Sequence, residues 1–455
     1  MSSKTIFYFL NYGSSIRNIV SGGVIDRLQA AGYRLVFLGV DERDRCAIEA
    51  RLHGDFVIEE IGKTSFRGLI NRLQRLRTYV WRSRVNYGEL LSSHGRAGGL
   101  RVYGQYLLGR LLRLVPFSVW AGLNARLARW PNGPALVEKY RPCAAIISNP
   151  ISDDNAAFEF CRQQGIYTAC VLESWDILTN RGALFSFPDD LLVWNELVAK
   201  QAVKYHQFPA ARVHVTGIPS FDIYAHPESY PSEAEWRQDN NLPASGPVIT
   251  YSLSSMHICE SEDVVIERLV AARAEGMLPA DASILVRFHP SAVAEVAGRY
   301  EAMPGVILQY PTKTFMHRKN DETAGTSMTM LAATMYYSSV VVNVFSTLCL
   351  EAICCDTPVA VVNFDPEPRP PHRSVKRYLK FLHIKELLEF DAAEVADSLD
   401  DLVAGVARSI THPEARRAQR LACRNAETFG LDGLATTRTA EMLHSLIERN
   451  VSEIK

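Results

Sequence analysis

The sequence lacks the patterns that mark several classes of protein. Its nine cysteines form no C-x-x-C pair, no H-E-x-x-H occurs, and no D-x-D follows a predicted strand, so no metal site is predicted. The nearest approach to a membrane-spanning run, residues 111–123, is interrupted by Arg113 and Pro116. The net charge of −1 gives no overall attraction to nucleic acid. The odd number of scattered cysteines predicts reduced thiols and a cytoplasmic protein.

Acidic residues are nearly missing from one stretch. Residues 64–134 contain twelve arginines, one glutamate (Glu89), and no aspartate or lysine. The arginines alternate with Leu, Tyr and Trp at helical spacing, as in residues 70–82 and 106–115. This pattern predicts helices that either contact an anionic membrane, as a peripheral protein on the inner face of the plasma membrane would, or cover a sheet with a solvated basic face.

The rest of the chain alternates strand and helix patterns, which predicts an α/β protein. We expect two doubly wound Rossmann-like domains facing each other across a cleft, with a basic helical insertion in the first. The predicted parts are a first domain at 1–225 with the insertion at 64–134, a polar linker at 226–246, a second domain at 247–430, and a C-terminal helix within 431–455 that could pack back on the first domain.

Two motifs of the second domain are predicted to lie at one edge of its sheet. His289-Pro290 closes the apolar run 283–288, and Ser346-Thr347 follows the run 340–345 and opens a helix. Strand ends and helix starts gather at the edge where such folds bind phosphorylated ligands. An imidazole and two hydroxyls there could clamp a phosphate, although serine is also an ordinary helix cap.

Other residues near these motifs are candidates for the same donor site. Arg287 precedes the His-Pro pair. Glu351 lies one helical turn after Thr347, where it could accept hydrogen bonds from ribose hydroxyls or be a surface charge. Ser254 and Ser255 follow the first strand of the second domain and could offer hydroxyls and backbone amides to a phosphate.

These motifs carry a resemblance to a known family. Arg287-Phe-His-Pro290, followed by Phe345-Ser-Thr347 with Glu351-Ala352, resembles the nucleotide-binding half of GT-B glycosyltransferases of bacterial surface polysaccharide synthesis. It is similar to Kdo and sialic-acid transferases and to CDP-glycerol-type polyol-phosphate transferases. Residues 215–222 resemble the end of the first domain of these enzymes, a feature shared with UDP-HexNAc 2-epimerases. The resemblance implies that both motifs contact the phosphate of a cytidine nucleotide.

The resemblance also implies a catalytic base from the first domain. Asp176, after the predicted strand 167–172, is the first choice, and Asp153 or Asp154 is the second, although acids at a helix start also complement its dipole. Arg17 could hold an anionic sugar or acceptor, or be a solvated turn residue. Arg369 and Arg373, in a Pro-rich loop with His372, could close over the nucleotide.

The predicted function is an inverting, metal-independent glycosyltransferase without a cofactor, which uses a nucleotide-activated sugar as co-substrate. An acidic sugar such as Kdo, from a CMP donor, would be transferred to a glycan or lipid-linked acceptor in polysaccharide biosynthesis, for example of lipopolysaccharide or capsule. A polyol-phosphate transferase, a UDP-HexNAc 2-epimerase and a non-catalytic GT-B-like binding module remain alternatives.

Overall fold

Two compact units make up the described part of the chain. A computed structural model describes residues 4–10, 23–40, 42–66, 68–85, 99–151, 155–254, 258–259, 261–289, 294–310, 324–370 and 373–453. The first unit takes its residues from Met1–Leu90, Arg96–Asp222 and Leu434–Lys455, and the second from Ile223–Gly433. Each unit contains its own parallel sheet and its own hydrophobic core.

The described part of the first unit contains nine strands. They are β1 Lys4–Phe9, β2 Tyr33–Leu38, β3 Phe56–Glu59, β4 Ser65–Phe66, β5 Ala128–Arg129, β6 Ala144–Ile147, β7 Tyr167–Val171, β8 Asp190–Val193 and β9 Val213–Val215. Seven of them form a parallel sheet in the order β3-β2-β1-β6-β7-β8-β9, and β4 pairs with β5 antiparallel. The central strands are buried along their whole length, as expected when helices cover both faces.

In the described part of the first unit, nine helices connect these strands. They are α1 Val24–Ala30, α2 Glu42–Arg51, α3 Ile70–Arg84, α4 Gly99–Leu112, α5 Phe117–Leu127, α6 Gly133–Tyr140, α7 Ala156–Gln163, α8 Ile177–Asn180 and α9 Glu196–His206, with a 3-10 turn at Ala210–Arg212. The predicted helical insertion corresponds to α3, α4 and α5. Trp120 of α5 packs with Val80 of α3 and with Phe187, so the insertion has a small core of its own.

The described part of the second unit repeats the doubly wound plan with six strands. They are β10 Val248–Ser252, β11 Ser283–Arg287, β12 Ile307–Gln309, β13 Val340–Asn343, β14 Val359–Val362 and β15 Glu394–Ala396. All are parallel, in the order β12-β11-β10-β13-β14-β15. The order reverses direction between β10 and β13, which makes this point the topological switch of the sheet.

The helices of the second unit complete its layers. They are α10 Glu233–Asp239, α11 Glu262–Ala274, α12 Ala294–Glu301, α13 Ala324–Tyr337, α14 Thr347–Cys354, α15 Leu382–Glu389, α16 Leu399–Thr411 and α17 Arg417–Glu427, with 3-10 turns at Pro219–Ala225, Pro227–Ser229 and Val375–Lys380. The expected linker at 226–246 is not a free connection. Ser232 and Glu235 form a capping box that starts α10, and the indole of Trp236 is fully buried, so this segment is folded into the second unit.

The last helix, α18 Ala435–Glu453, belongs to the first unit. Its residues Leu443, Leu446 and Ile447 are buried in the core of that unit. Asp222 caps the helix, because its carboxylate accepts hydrogen bonds from the backbone amides of Ala435 (2.9 Å) and Thr436 (2.8 Å). The stretch 215–222, which carried part of the family resemblance, therefore has a structural role in holding α18.

Candidate functional site

The carboxyl edge of the second sheet collects the ends of β10, β11 and β13. Ser252 pairs in register with Arg287 on one side and with Asn343 on the other, so these three strands end at the same level. The loops that follow begin together at the switch point. Since β11 and β13 are both direct neighbours of β10, they lie about 10 Å apart. His289 and Ser346 follow these two strands and thus flank the central position of the edge.

Ser346 is the N-cap of α14. Its backbone is extended (φ −151°, ψ 173°), and its hydroxyl oxygen accepts a hydrogen bond from the Leu348 amide at 3.2 Å. An accepting hydroxyl keeps its own hydrogen, which can still be donated to a phosphate oxygen. Thr347 is the first residue of the helix, and both side chains are half-buried. The helix start thus presents two hydroxyls where the helix dipole favours an anion.

His289 stands directly after a firmly held strand end. The Phe288 amide donates to the Gln309 carbonyl at 2.9 Å, and the Phe288 ring stacks on Tyr310 with 5.0 Å between centroids. The imidazole of His289 is half-buried, so it is accessible at the edge. Pro290 lies outside the described residues. The fold therefore places His289 and Ser346-Thr347 at one sheet edge, as the sequence predicts.

Arg287 lies inside the unit and forms part of a buried polar network. Its side chain is 4% exposed, and Nη1 donates to Gln309 Oε1 at 2.7 Å. The Gln309 amide in turn donates to Asn240 Oδ1 (2.7 Å) and Thr334 Oγ1 (2.8 Å). From its place before His289-Pro290, Arg287 is a candidate donor-binding residue. The guanidinium binds Gln309, and Gln309 links the end of β12 to Asn240, directly after α10, and to Thr334 of α13, so this network braces the ends of β11 and β12.

Ser254 donates hydrogen bonds to the carboxylate of Glu262, a residue that no motif in the sequence indicated. Its backbone amide donates to both carboxylate oxygens of Glu262, at 3.0 and 3.1 Å, and its hydroxyl donates to Oε2 at 2.9 Å. Burial raises the pKa of Glu262 to about 7, although the Ser254 bonds oppose this. A hydroxyl that donates to Glu262 cannot donate to a phosphate as well, so Ser254 fixes the loop after β10. Ser255 lies outside the described residues.

Glu351 is buried on α14 rather than presented to solvent. Its side chain is 4% exposed, and its carboxylate accepts a hydrogen bond from the Tyr224 hydroxyl. Burial, with the neighbouring Glu351 charge, raises the pKa of Tyr224, so the phenol stays protonated and can donate. A buried carboxylate needs such a partner because its desolvation is costly. The expected contact between Glu351 and a ribose would have to compete with Tyr224.

The Pro-rich loop after β14 meets the loop after β10. Arg369 donates to the Ser261 hydroxyl at 3.0 Å, and that hydroxyl donates to Glu367 at 2.7 Å. Asp365 holds the far part of the loop by accepting from the Val375 amide at 2.8 Å. Together with Arg373, Arg369 lines a small cavity between the two loops. Arg369 and Arg373, the two candidate arginines of this loop, thus lie at the carboxyl edge of this sheet, beside the switch point. His372 lies outside the described residues.

Asp176 of the first unit follows β7 and precedes α8. Its carboxylate accepts from the Ser174 hydroxyl at 2.5 Å and from Arg181 Nε at 2.9 Å, and it is partly exposed. The ion pair with Arg181 offsets the charge of this candidate base. Asp153, Asp154 and Arg17 lie outside the described residues.

Glu173 is a second carboxylate at the same strand end, and sequence reasoning passed over it. It is 6% exposed and lies at the carboxyl edge of β7, next to β6 at the switch point of the first sheet. Asn149 Nδ2 donates to Glu173 Oε1 at 3.4 Å, and the backbone amide of Glu173 donates to the Ser148 carbonyl at 3.2 Å. Only its position as the first polar residue after an apolar strand could have indicated it from the sequence.

The described ranges hold neither a metal-site cluster nor a spanning helix. No group of three or more His, Cys, Asp or Glu side chains in these ranges could bind a metal ion. No helix there combines the length and apolarity needed to cross a bilayer.

Solved structures with the same arrangement of elements identify the fold. The UDP-GlcNAc 2-epimerase from Neisseria meningitidis bound to UDP-GlcNAc has a TM-score of 0.55 and 11% identity, covering 97% of this chain and 100% of that chain. A glycosyltransferase from Rickettsia africae ESF-5 has a TM-score of 0.54 and 11% identity, covering 99% and 100%. A variant of the wall teichoic acid polymerase TagF with CDPG has a TM-score of 0.54 and 10% identity, covering 99% and 90%.

The chain has the GT-B fold. The predicted fold class, two Rossmann-like domains with parallel sheets, is confirmed. At identities of 10–12% this likeness establishes architecture, and the same architecture serves an epimerase, a glycosyltransferase and a polymerase. No protein-family model matches the sequence, and neither does any curated protein. The resemblance to Kdo and sialic-acid transferases stays a prediction.

Proposed function

We propose that the protein is a transferase that uses a nucleotide-activated donor and binds the donor phosphate at the carboxyl edge of its second sheet. The observation that carries this proposal is the placement of His289 and the capped start of α14 on the two strands that flank β10. Hydroxyl donors, an imidazole and a helix N-terminus at a switch point form a site suited to a phosphate.

The proposed reaction is a direct displacement. A carboxylate of the first unit removes the proton of an acceptor hydroxyl, whose oxygen attacks the anomeric carbon of the donor sugar and inverts it. The bond from that carbon to the phosphate oxygen breaks, and the nucleotide leaves as an anion. The start of α14 and His289 stabilise the charge of the leaving group, so no metal ion is required in this scheme. Asp176 is the proposed base, and Glu173 is the alternative that the structure adds.

The proposed donor is a CMP-activated acidic sugar such as Kdo, and the proposed acceptor is a glycan or lipid-linked saccharide of a cell-surface polysaccharide. This choice rests on the resemblance of the His-Pro and Ser-Thr motifs to those of Kdo and sialic-acid transferases. A polyol-phosphate transferase is the second candidate, because the TagF structure with CDPG has the same fold over 99% of this chain. In that reaction the acceptor oxygen attacks phosphorus instead of carbon.

A thermal-shift screen with CMP, CDP, UDP and GDP tests the donor. Stabilisation by CMP above the others is expected, since a ligand that binds only the folded state raises its unfolding temperature. A preference for UDP would favour an epimerase. Because CMP also leaves in polyol-phosphate transfer, turnover of a CMP-sugar compared with turnover of a CDP-polyol separates the two transferases. Absence of stabilisation by all four nucleotides would reject the proposed site.

Paired substitutions test whether the protein catalyses a reaction. Asp176→Asn is expected to abolish nucleotide release from the donor that the screen indicates, while nucleotide affinity is retained. Glu173→Gln is the matched variant at the same strand end. Loss of turnover in Glu173→Gln alone would move the base to Glu173. Unchanged turnover in both would reject a carboxylate base at this strand end, and a wild type with nucleotide affinity but no turnover would support a binding module.

A further inference from the structure

The helical insertion exposes a concentration of large apolar side chains. Eight of the fourteen exposed large apolar residues in the described ranges lie between Leu69 and Leu123. On α4 they form one stripe, because Tyr103 (60% exposed), Leu107 (44%) and Leu111 (69%) are spaced by four residues and so share a helical face. Leu114, 85% exposed, extends the stripe into the turn after the helix.

The opposite face of α4 packs against α3. A Cβ atom added to Gly109 would lie 2.1 Å from the Tyr79 carbonyl oxygen, so the two helices approach each other closely there. Gly109 is two residues from both Leu107 and Leu111, which places it about 200° around the helix from each. The stripe therefore points directly away from α3. An ordinary surface helix turns a polar face outward, whereas α4 exposes leucines there.

The next helix shows the same arrangement. Val119 (45% exposed) and Leu123 (37%) are four residues apart on α5, while Trp120 and Asn124 are buried against the unit. Two consecutive helices thus expose apolar residues that take no part in the core of the insertion.

Exposed positive charge is frequent in the same segment of the chain. Arg72, Arg75, Arg110, Arg126 and Arg129 are exposed in the described part of the insertion. The described residues 68–85 and 99–134 contain no acidic side chain. A second copy of this surface would bring arginines against arginines, so charge disfavours self-association. An anionic surface with an apolar interior complements both the exposed apolar side chains and the exposed arginines.

We propose that the outward faces of α4 and α5 bind the surface of an anionic lipid bilayer. Leu107, Leu111 and Leu114 insert at the boundary between headgroups and acyl chains, and the arginines contact lipid phosphates. This inference concerns a partner of the first unit, and it goes beyond nucleotide binding and does not depend on it. An enzyme held in this way would meet a lipid-linked acceptor at the membrane surface.

Vesicle co-sedimentation of the full chain tests the proposal. We expect binding to phosphatidylcholine vesicles that contain phosphatidylglycerol, little binding to phosphatidylcholine alone, and release at about 0.5 M salt. The double variant Leu107→Glu/Leu111→Glu should reduce the bound fraction about tenfold, because it removes apolar contacts and adds negative charge. Val203→Glu is the matched control, since Val203 is 39% exposed on α9 of the same unit, and it should bind as wild type.

Three outcomes would overturn the proposal. They are failure of the wild type to bind anionic vesicles at low salt, equal binding by the double variant, and equal loss of binding in Val203→Glu. Sedimentation velocity examines the alternative occupant: a wild-type dimer that the double variant converts to a monomer would assign the stripe to a second copy of the chain. Nucleotide-induced thermal shifts are measured on the same variants. The substitutions should leave these shifts unchanged, so a failure of membrane binding can be told apart from a failure of the donor site.

Discussion

Replacement of Ser346 by aspartate separates its two possible roles, helix cap and phosphate ligand. Aspartate is about as good an N-cap as serine, and its charge complements the helix dipole. In the extended conformation of Ser346 it can accept the same bond from the Leu348 amide. The free energy of unfolding should therefore change by less than about 0.5 kcal/mol.

Nucleotide binding should respond strongly to the same change. A phosphate in contact with residue 346 would lie about 4 Å from the new carboxylate, where two unit charges repel by about 4 kcal/mol at an effective dielectric constant of about 20. Ser346 is half-buried, and solvent screening at such a position lowers the repulsion to about 2 kcal/mol. The dissociation constant of the nucleotide should then rise about 30-fold.

Ser398 provides a matched control in the same sheet. It caps α16 after β15 with nearly the same backbone conformation (φ −151°, ψ 168°), and its hydroxyl accepts from the Asp401 amide at 3.1 Å. Since β15 lies at the far edge of the sheet, Ser398→Asp should leave nucleotide affinity unchanged. Titration calorimetry with CMP, CDP and UDP, together with thermal unfolding, measures both effects. Wild-type affinity in Ser346→Asp would refute the placement of the phosphate at α14.

Three further experiments test other parts of the molecule. His289→Ala should weaken nucleotide binding about tenfold or more without lowering the unfolding temperature, as calorimetry and thermal unfolding will show. Gly109→Ala should destabilise the first unit by about 1–3 kcal/mol in urea unfolding, because the added carbon meets the Tyr79 carbonyl. In the control Gly104→Ala, on the same helix, the added carbon meets no atom within 4 Å, so this variant should be stabilised by about 0.5–1 kcal/mol. Equal effects of the two substitutions would contradict the packing of α4 against α3. Burial raises the pKa of Glu262 from 4.5 to about 7, so the folded state holds this proton more tightly, and the free energy of unfolding should fall by up to about 3 kcal/mol as the pH rises through this interval. Glu262→Gln should remove this pH dependence of the free energy of unfolding, measured by urea unfolding at several pH values. The same pH dependence in the variant and the wild type would contradict the assignment of the fall to Glu262.

Local patterns in the sequence determined where the principal strands end and where α14 begins. Apolar runs such as residues 340–345 indicate buried strands, and a serine after such a run caps the next helix. Because the strands of consecutive β-α-β units run parallel, their carboxyl ends lie at one edge, so these local features also predicted that His289 and Ser346 share that edge. The basic insertion was visible for the same reason, since helical spacing and charge are properties of nearby residues.

Only the tertiary structure decided which polar groups remain available at that edge. Glu351 and Tyr224 are 127 residues apart in the chain, and their pairing follows from how α14 packs within its unit. The engagement of Ser254 by Glu262 and the burial of Arg287 against Gln309 likewise depend on neighbours that no local pattern specifies. The outward direction of the α4 stripe required the contact at Gly109. The sequence determines secondary structure through short-range geometry, whereas the burial and pairing of a charged side chain depend on the whole packing around it.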